Sequence, residues 1–114
     1  MSDCLFCKIV NGDIPARLVH RDELITAFRD INAQAPVHIL IVPNRHLAGA
    51  SQLSSDHGPI LTAMFMTAAQ LARAEGIDEN GYRLVINEGP DAGQSVFHLH
   101  LHLLGGRRLN WPPG

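Results

Sequence analysis

Three of the chain's seven histidines occupy alternate positions in the segment VFHLHLHLLGG, residues 96–106. Successive side chains of a β-strand point to opposite faces. A strand here therefore places His98, His100 and His102 on one face, and Phe97 and the leucines on an apolar face that can bury. Imidazoles about 7 Å apart along a strand are compatible with three roles: a solvated polar face, a metal site, or a nucleophilic or acid–base site.

The loop that precedes these histidines, NEGPDAGQSV at residues 87–96, is suited to binding an anion. Its glycines let main-chain N–H groups approach a ligand closely, and Ser95 adds a hydroxyl donor. It has no Walker-type Gly-Lys-Ser/Thr. A neutral imidazole is a good nucleophile, and a pKa near 6.5 keeps it largely neutral at pH 7. The pattern favours acyl or phosphoryl transfer, with the central His100 as nucleophile and His102 polarising the phosphate or protonating a leaving amine.

Cys4 and Cys7 form a C-x-x-C pair, which indicates either a zinc site or a redox pair. A thioredoxin-type pair lies between a strand and a long helix, whereas this one opens the chain, so zinc is favoured. A closed structural zinc site needs about four ligands, and His46 is a candidate for a further one. The alternative is two buried thiols and a surface His46.

The composition limits the class of protein. The chain has 114 residues, of which 46% are hydrophobic and 18% charged, and a net charge of −2. These values are typical of one globular domain and give no basic face for nucleic acid or membrane. No apolar run approaches the roughly 20 residues of a membrane span, and the start of the chain does not resemble a signal peptide. We therefore expect a cytoplasmic location.

Hydrophobic patterning predicts a single α+β domain with an antiparallel sheet. A short helix is expected in residues 4–12 and a long helix over 54–76, and strands are expected at 16–22, 24–30, 37–43, 82–88 and 96–106. The long helix should bury one face and its methionines, Met64 and Met66. The predicted face comprises Ile60, Leu61, Met64, Phe65, Ala68, Leu71 and Ala72. His20 and His57 match no motif and are expected at the surface.

The segment HLHLHLL, residues 98–104, matches the histidine-triad pattern His-x-His-x-His followed by two apolar residues. Together with FCKIVNGDIPA, AFRDINAQAPVHILIVP, GYRLVINEG, GQS and the terminal WPPG, it makes the chain resemble the histidine-triad (HIT) superfamily, on its Hint branch. The resemblance implies a HIT fold over residues 1–114 and a symmetric homodimer. It also implies hydrolysis of purine nucleoside 5'-phosphoramidates through a nucleotidyl-histidine intermediate.

The resemblance also assigns roles to individual residues. His38 joins the triad histidines His98, His100 and His102 in the catalytic site by hydrogen bonding. Asp30 accepts the ribose hydroxyls and Ile31 lines the base pocket. Contacts to the phosphate or leaving group come from Asn87, Gly93, Gln94 and Ser95. In the tail, Trp111 reaches the active site of the other subunit.

A structural zinc ion is implied by the same resemblance, on Cys4, Cys7, His46 and His98, with no cofactor required for catalysis. One departure is Asn32-Ala33, where many Hint relatives have Ser-Pro. Two alternatives remain open at this stage. One is a zinc-dependent hydrolase that uses the triad histidines as ligands; the other is a non-catalytic nucleotide-binding or interaction protein.

Overall fold

Two α-helices and five strands form the regular structure of residues 3–114, the part of the chain that the computed structural model describes. In chain order they are α1 (Leu5–Val10), β1 (Leu18–Arg21), β2 (Ile25–Arg29), β3 (Val37–Pro43), α2 (Gly58–Ala74), β4 (Tyr82–Val85) and β5 (Leu101–Gly105). Within these described residues, no helix combines the length and the apolar character needed to cross a bilayer.

The strands form one antiparallel sheet in the order β1-β2-β3-β5-β4. The central strand β3 is buried along its whole length, as its β-branched, apolar sequence VHILIVP leads one to expect. In the β3–β5 pairing, His38 lies opposite Leu104 and Leu40 lies opposite His102. The α+β class, the antiparallel sheet, the long helix and the short N-terminal helix are confirmed.

The sheet separates two hydrophobic cores, and alternate residues of β3 enter each of them. Ile39 and Ile41 pack on the side of α2, together with Met64, Leu99 and Leu101. Leu40 and Val42 pack on the side of α1, with Phe6. Because His102 pairs with Leu40, the even-numbered histidines lie on the α1 side and the odd-numbered leucines on the α2 side, as the alternation predicts.

The histidine segment differs from its prediction in two respects. Regular pairing of β5 begins only at Leu101, so His98 and His100 precede the strand. Phe97 is 58% exposed instead of joining the apolar face. Position 97 lies beyond the paired part of the strand, so the alternation of the sheet no longer directs its side chain inward.

Three expectations around α2 are also wrong. Phe65 and Met66 are 45% and 59% exposed, whereas Met64 is fully buried. The helical stripe that packs on the sheet includes Thr67; Phe65 lies at its margin and Met66 on the opposite face. His57 is buried, not at the surface, because its Nδ1 accepts the main-chain N–H of Ser54 where the chain enters the helix.

Candidate active site and metal centre

His100 lies between the loop and β5, and the main chain fixes the protonation of its ring. Its Nδ1 is 2.7 Å from the main-chain oxygen of His98. A carbonyl oxygen can only accept, so Nδ1 carries the proton and the neutral ring keeps its lone pair on Nε2. Phe6 packs edge-on against the ring, with centroids 5.0 Å apart and planes at 88°. His100 therefore offers a positioned, nucleophilic Nε2.

His38 and His102 form a hydrogen-bonded pair whose protons lie on Nε2, the opposite of His100. The main-chain N–H of Gln34 donates to Nδ1 of His38 at 3.0 Å, so neutral His38 carries its proton on Nε2. The Nε2–H of His38 donates to Nδ1 of His102 at 2.9 Å. Because Nδ1 of His102 accepts this bond, the proton of neutral His102 lies on Nε2. This Nε2 is buried and has no hydrogen-bond partner among residues 3–114. A buried donor of this kind is placed to bind a ligand.

Burial keeps both members of this pair neutral. It lowers the pKa of His102 to about 4, and repulsion from His100 and His38 acts in the same direction. Burial also lowers the pKa of His38, against the attraction of the Asp30 carboxylate. The Oδ2 of Asp30 lies 3.4 Å from Nε2 of His38. The hydrogen bonds require the same state, because Nδ1 of His38 and Nδ1 of His102 can accept only while each ring is neutral.

A cavity of about 290 Å³ opens beside these histidines. His100, His102 and Ser95 form its polar wall, and Asp30 and Ile31 lie along its lining. Apart from Arg29, the remaining wall is apolar and includes Phe6, Ile9, Phe28 and Leu40. A concave site with one apolar wall and a few convergent polar groups is typical of small-molecule binding.

Of the four loop residues assigned to substrate, Ser95 is the one that the structure places in the cavity lining. Gln94 is buried, and its side-chain amide bonds to main-chain atoms of the loop and of Ala48. Its Oε1 accepts the N–H of Gly89 at 2.8 Å, and its Nε2 donates to the main-chain oxygens of Ala48 and Val96 at 2.9 and 3.2 Å. Gln94 thus shapes the loop that carries Ser95.

The other assigned residues lie away from this lining. Asn87 is half-buried, and Gly93 is exposed with φ of +80°, which favours glycine. Trp111 is 81% exposed. The substrate contacts expected of these three residues stay predictions.

Cys4, Cys7, His46 and His98 converge as the second part of the site, with one ligand atom from each within 4.8 Å of the others. Nδ1 of His98 is 3.3 Å from Sγ of Cys4 and 3.2 Å from Nδ1 of His46. Two nitrogens bound tetrahedrally to one zinc ion lie about 3.4 Å apart, given bonds of about 2.05 Å. The four residues that the resemblance implied therefore have the spacing of a zinc site.

The protonation of His98 supports this assignment. Its Nε2 lies 2.8 Å from the main-chain oxygen of Pro43, so Nε2 carries the proton and Nδ1 turns a lone pair toward the sulfurs. A metal-bound histidine characteristically donates its other N–H to such an acceptor. Burial lowers the pKa of His98 and so favours the neutral, ligating form.

A second group with possible ligand atoms, Asp30, His38 and His102, does not fit a metal in this way. The N–H of Gln34 occupies Nδ1 of His38, so neutral His38 presents a proton, not a lone pair, to the group. The triad histidines are also divided, since His98 faces the cysteines while His100 and His102 line the cavity. This geometry opposes the alternative in which they share a catalytic zinc ion.

Several groups that build the site are main-chain atoms that sequence reasoning did not find. They are the N–H of Gln34 and the carbonyl oxygens of Pro43 and His98. Any residue except proline supplies both groups, so no residue type marks them. Phe6 was also missed, although its place between the two cysteines on a short helix was a usable signal.

Comparison with known proteins agrees with this geometry. The model of the HIT domain family matches residues 11–109. The chain belongs to the HIT domain family. The crystal structure of a HIT family hydrolase from Legionella pneumophila Philadelphia 1 matches this HIT domain with a TM-score of 0.97 and 52% identity, over 98% of this chain and 100% of the other. The HIT fold inferred from the histidine pattern is confirmed.

Three curated relatives of this HIT domain have names that bear on chemistry. The 14 kDa zinc-binding protein of Zea mays is 50% identical over 99% of this chain and 89% of its own length. The purine nucleoside phosphoramidase of Escherichia coli K12 is 48% identical over 94% of this chain and 90% of its own length. Adenylylsulfatase HINT1 of Arabidopsis thaliana is 47% identical over 99% of this chain and 78% of its own length.

Proposed function

We propose that this HIT domain is a hydrolase that cleaves the P–N bond of purine nucleoside 5'-phosphoramidates through a nucleotide covalently bound to His100. The observation that carries the proposal is that one cavity wall holds two neighbouring imidazole nitrogens, of which one can accept and the other can donate. Nε2 of His100 offers a lone pair, and Nε2 of His102 offers a proton. The name of the Escherichia coli relative supports the choice of substrate.

In the first step, Nε2 of His100 attacks the α-phosphorus. The new N–P bond forms as the bond from phosphorus to the substrate amine breaks, and the amine takes a proton from solvent as it departs. Nδ1 of His100 keeps its proton and donates it in a hydrogen bond to the main-chain oxygen of His98. This bond holds the ring in place and stabilises the positive charge that the ring gains when Nε2 bonds to phosphorus.

His102 acts here as a hydrogen-bond donor to a phosphoryl oxygen, where negative charge develops in the transition state. Transfer of its proton to the amine would leave an anionic imidazole, because His102 is neutral before the reaction. Of the two roles predicted for His102, polarisation of the phosphate is therefore the better supported.

In the second step, water attacks phosphorus and the bond to His100 breaks. The nucleoside monophosphate leaves with the oxygen of water, one proton returns to solvent, and Nε2 of His100 regains its lone pair. The apolar wall around Phe6 and Phe28 suits a flat purine base, and Asp30 is an acceptor for ribose hydroxyls. The cysteine–histidine cluster takes no direct part in these two steps: zinc bound there would fix α1 against the site.

A rapid-quench experiment tests the proposal. Wild-type protein mixed in excess with an adenosine phosphoramidate should form a nucleotide-bound peptide that contains His100, and its formation should match release of the amine. A panel with guanosine and with sulfate leaving groups measures selectivity. Nucleotide binding without the bound peptide and without product would instead support the non-catalytic alternative.

A homodimer is part of this proposal, as an expectation from the resemblance. Exposed Phe65 and Met66 on α2, and β4 at one edge of the sheet, are features that a partner subunit would cover.

A further inference from the structure

His98 belongs to two networks at once. Its side chain contributes Nδ1 to the cysteine–histidine cluster and donates Nε2–H to Pro43. Its main-chain oxygen accepts a hydrogen bond from Nδ1–H of His100, with 2.7 Å between nitrogen and oxygen. The atom that fixes the protonation of the nucleophile is thus part of a metal-ligating residue.

The sheet does little to hold this carbonyl in place. Regular pairing of β5 begins at Leu101, so residues 98–100 lie outside the ladder. The segment is held by the side chain of His98, by the buried side chain of Leu99, and by the N–H of Leu99, which donates to the oxygen of Leu47 at 2.6 Å. Leu47 directly follows His46, another member of the cluster. Of these attachments, the side chain of His98 and the hydrogen bond to Leu47 lead back to the cluster.

A third connection runs through α1. Phe6 lies between Cys4 and Cys7 in the chain, and its ring packs edge-on against His98 and His100, with centroids 6.0 and 5.0 Å away. Any shift of the cysteines moves the aromatic surface that bounds the ring of His100. Three independent contacts thus connect the cluster to the nucleophile.

We propose that the cluster is a positioning device for His100: metal bound to Cys4, Cys7, His46 and His98 holds the His98 carbonyl where it keeps the proton of His100 on Nδ1. Without metal, the carbonyl and the ring of Phe6 relax, His100 populates both neutral tautomers, and its lone pair leaves Nε2 for part of the time. The effect on rate rests on the proposed function, whereas the effect on the tautomer does not.

The test compares protein loaded with one equivalent of zinc and protein stripped by a chelator, at one constant pH. Imidazole ¹⁵N–¹H correlation spectra, with His100 assigned by loss of its signals in His100→Asn, report the tautomer directly. We expect a single Nδ1–H form in the loaded protein and averaged nitrogen shifts in the stripped protein. Nucleotidylation in a single turnover should slow by about 100-fold, the order of loss that misplacement by about 1 Å produces, while affinity for the nucleoside monophosphate changes little.

Two variants make the result specific. His46→Gln removes the exposed ligand and keeps the other three, so it should fold and reproduce the stripped spectrum in the presence of zinc. Met64→Ala should lower the stability of the hydrophobic core on the α2 side of the sheet, whereas Phe6 packs on the α1 side. It should leave the spectrum of His100 unchanged. If His100 shows one tautomer in loaded, stripped and His46→Gln protein alike, the proposal is wrong. A tautomer change without any nucleotidylated protein would reject the proposed function and leave the positioning role intact.

Discussion

The position of one proton on each imidazole determines what the site can do. Three main-chain groups set these positions: the oxygens of His98 and Pro43 and the N–H of Gln34. As a result, three histidines spaced two residues apart offer three different atoms: His98 a lone pair on Nδ1, His100 a lone pair on Nε2 and His102 a proton on Nε2. The proposed function uses them as a ligand, a nucleophile and a hydrogen-bond donor, although the sequence alone presents them as equivalent.

Replacing His100 by asparagine should abolish turnover and preserve nucleotide binding. Asparagine retains a polar group of similar reach and lacks the nucleophilic nitrogen, so kcat should fall by several orders of magnitude. His102→Asn, which keeps an N–H donor, should lose much less. Steady-state kinetics and equilibrium binding of adenosine monophosphate measure both effects. Retention of even a tenth of the wild-type rate by His100→Asn would contradict the assignment.

The low pKa of His102 has a consequence for stability. In the unfolded chain His102 binds a proton as the pH falls through about 6.5, whereas in the folded protein it does so near 4. Unfolding therefore takes up protons in this range, and the free energy of unfolding should fall as the pH falls from about 6.5 to about 4. Urea unfolding at several pH values should show a shallower decline in His102→Asn than in wild type. Equal declines in the two proteins would mean that His102 does not titrate as described.

Helix α1 depends on contacts with the rest of the fold more than on its own hydrogen bonds, because its six residues are too few for a stable isolated helix. The cysteine–histidine cluster at its start is one such contact, beside the buried apolar face of the helix. Protein purified without chelator should contain one zinc ion per subunit. An ion present at 100 times its dissociation constant adds about 2.7 kcal/mol. Cys4→Ser should lose a stabilisation of this order and change preference among leaving groups little. Elemental analysis and urea unfolding test this prediction, and His20→Asn is a control at a histidine outside the cluster.

A second contact between elements holds the loop that carries Ser95. The main-chain N–H of Ser51 donates to Oε1 of Glu88 at 3.0 Å, and a Cβ at Gly49 would overlap that carboxylate. Gly49→Ala should therefore push the Glu88 carboxylate aside and break its hydrogen bond to Ser51, with a small fall in the melting temperature and in kcat/KM. Glu88→Ala is the matched control: it removes the same carboxylate, so adding Gly49→Ala to it should cost little further stability. An equal loss from Gly49→Ala with and without the Glu88 side chain would show that the contact is unimportant.

The elements that the sequence predicted well are those whose pattern is local. All five strands and both helices follow from runs of apolar residues and their periodicity. The errors concern side chains whose environment depends on distant residues. His57 is buried by a contact at a helix entry, and Phe65 and Met66 extend from the apolar helix into solvent. The ligand set came from resemblance, because spacing along the chain cannot show that Cys4 meets a histidine 94 positions later.

For the whole molecule, the exposed apolar residues are the main unexplained feature. The strand β4 is an edge of the sheet, with exposed Tyr82, and the outer side of α2 presents Phe65 and Met66. Edge strands and apolar patches are ordinarily covered in soluble proteins. A two-fold dimer that pairs β4 with β4 and α2 with α2 would bury all three, since an isologous interface uses the same surface twice.

We therefore predict a homodimer at micromolar concentration, which sedimentation equilibrium measures directly. Phe65→Glu or Met66→Glu should shift it toward monomer, because burying a charge in an apolar interface is costly. Thr62→Glu, also exposed on α2, is a control for the added charge alone. A wild-type protein that is monomeric at this concentration would exclude the dimer.

We expect the tail to give the dimer a role in specificity. Residues 106–114 form neither helix nor strand, and the chain's single tryptophan, Trp111, is 81% exposed there. An indole buries a large apolar area when it meets a partner surface. We predict that Trp111 lies near the leaving-group side of the other subunit's cavity.

Deletion of residues 108–114 should leave the fold intact and change relative kcat/KM among amine leaving groups several-fold, with little change in affinity for the nucleoside monophosphate. Trp111→Ala in the full-length chain should reproduce most of that change, and unchanged specificity in both proteins would show that the tail has no such role.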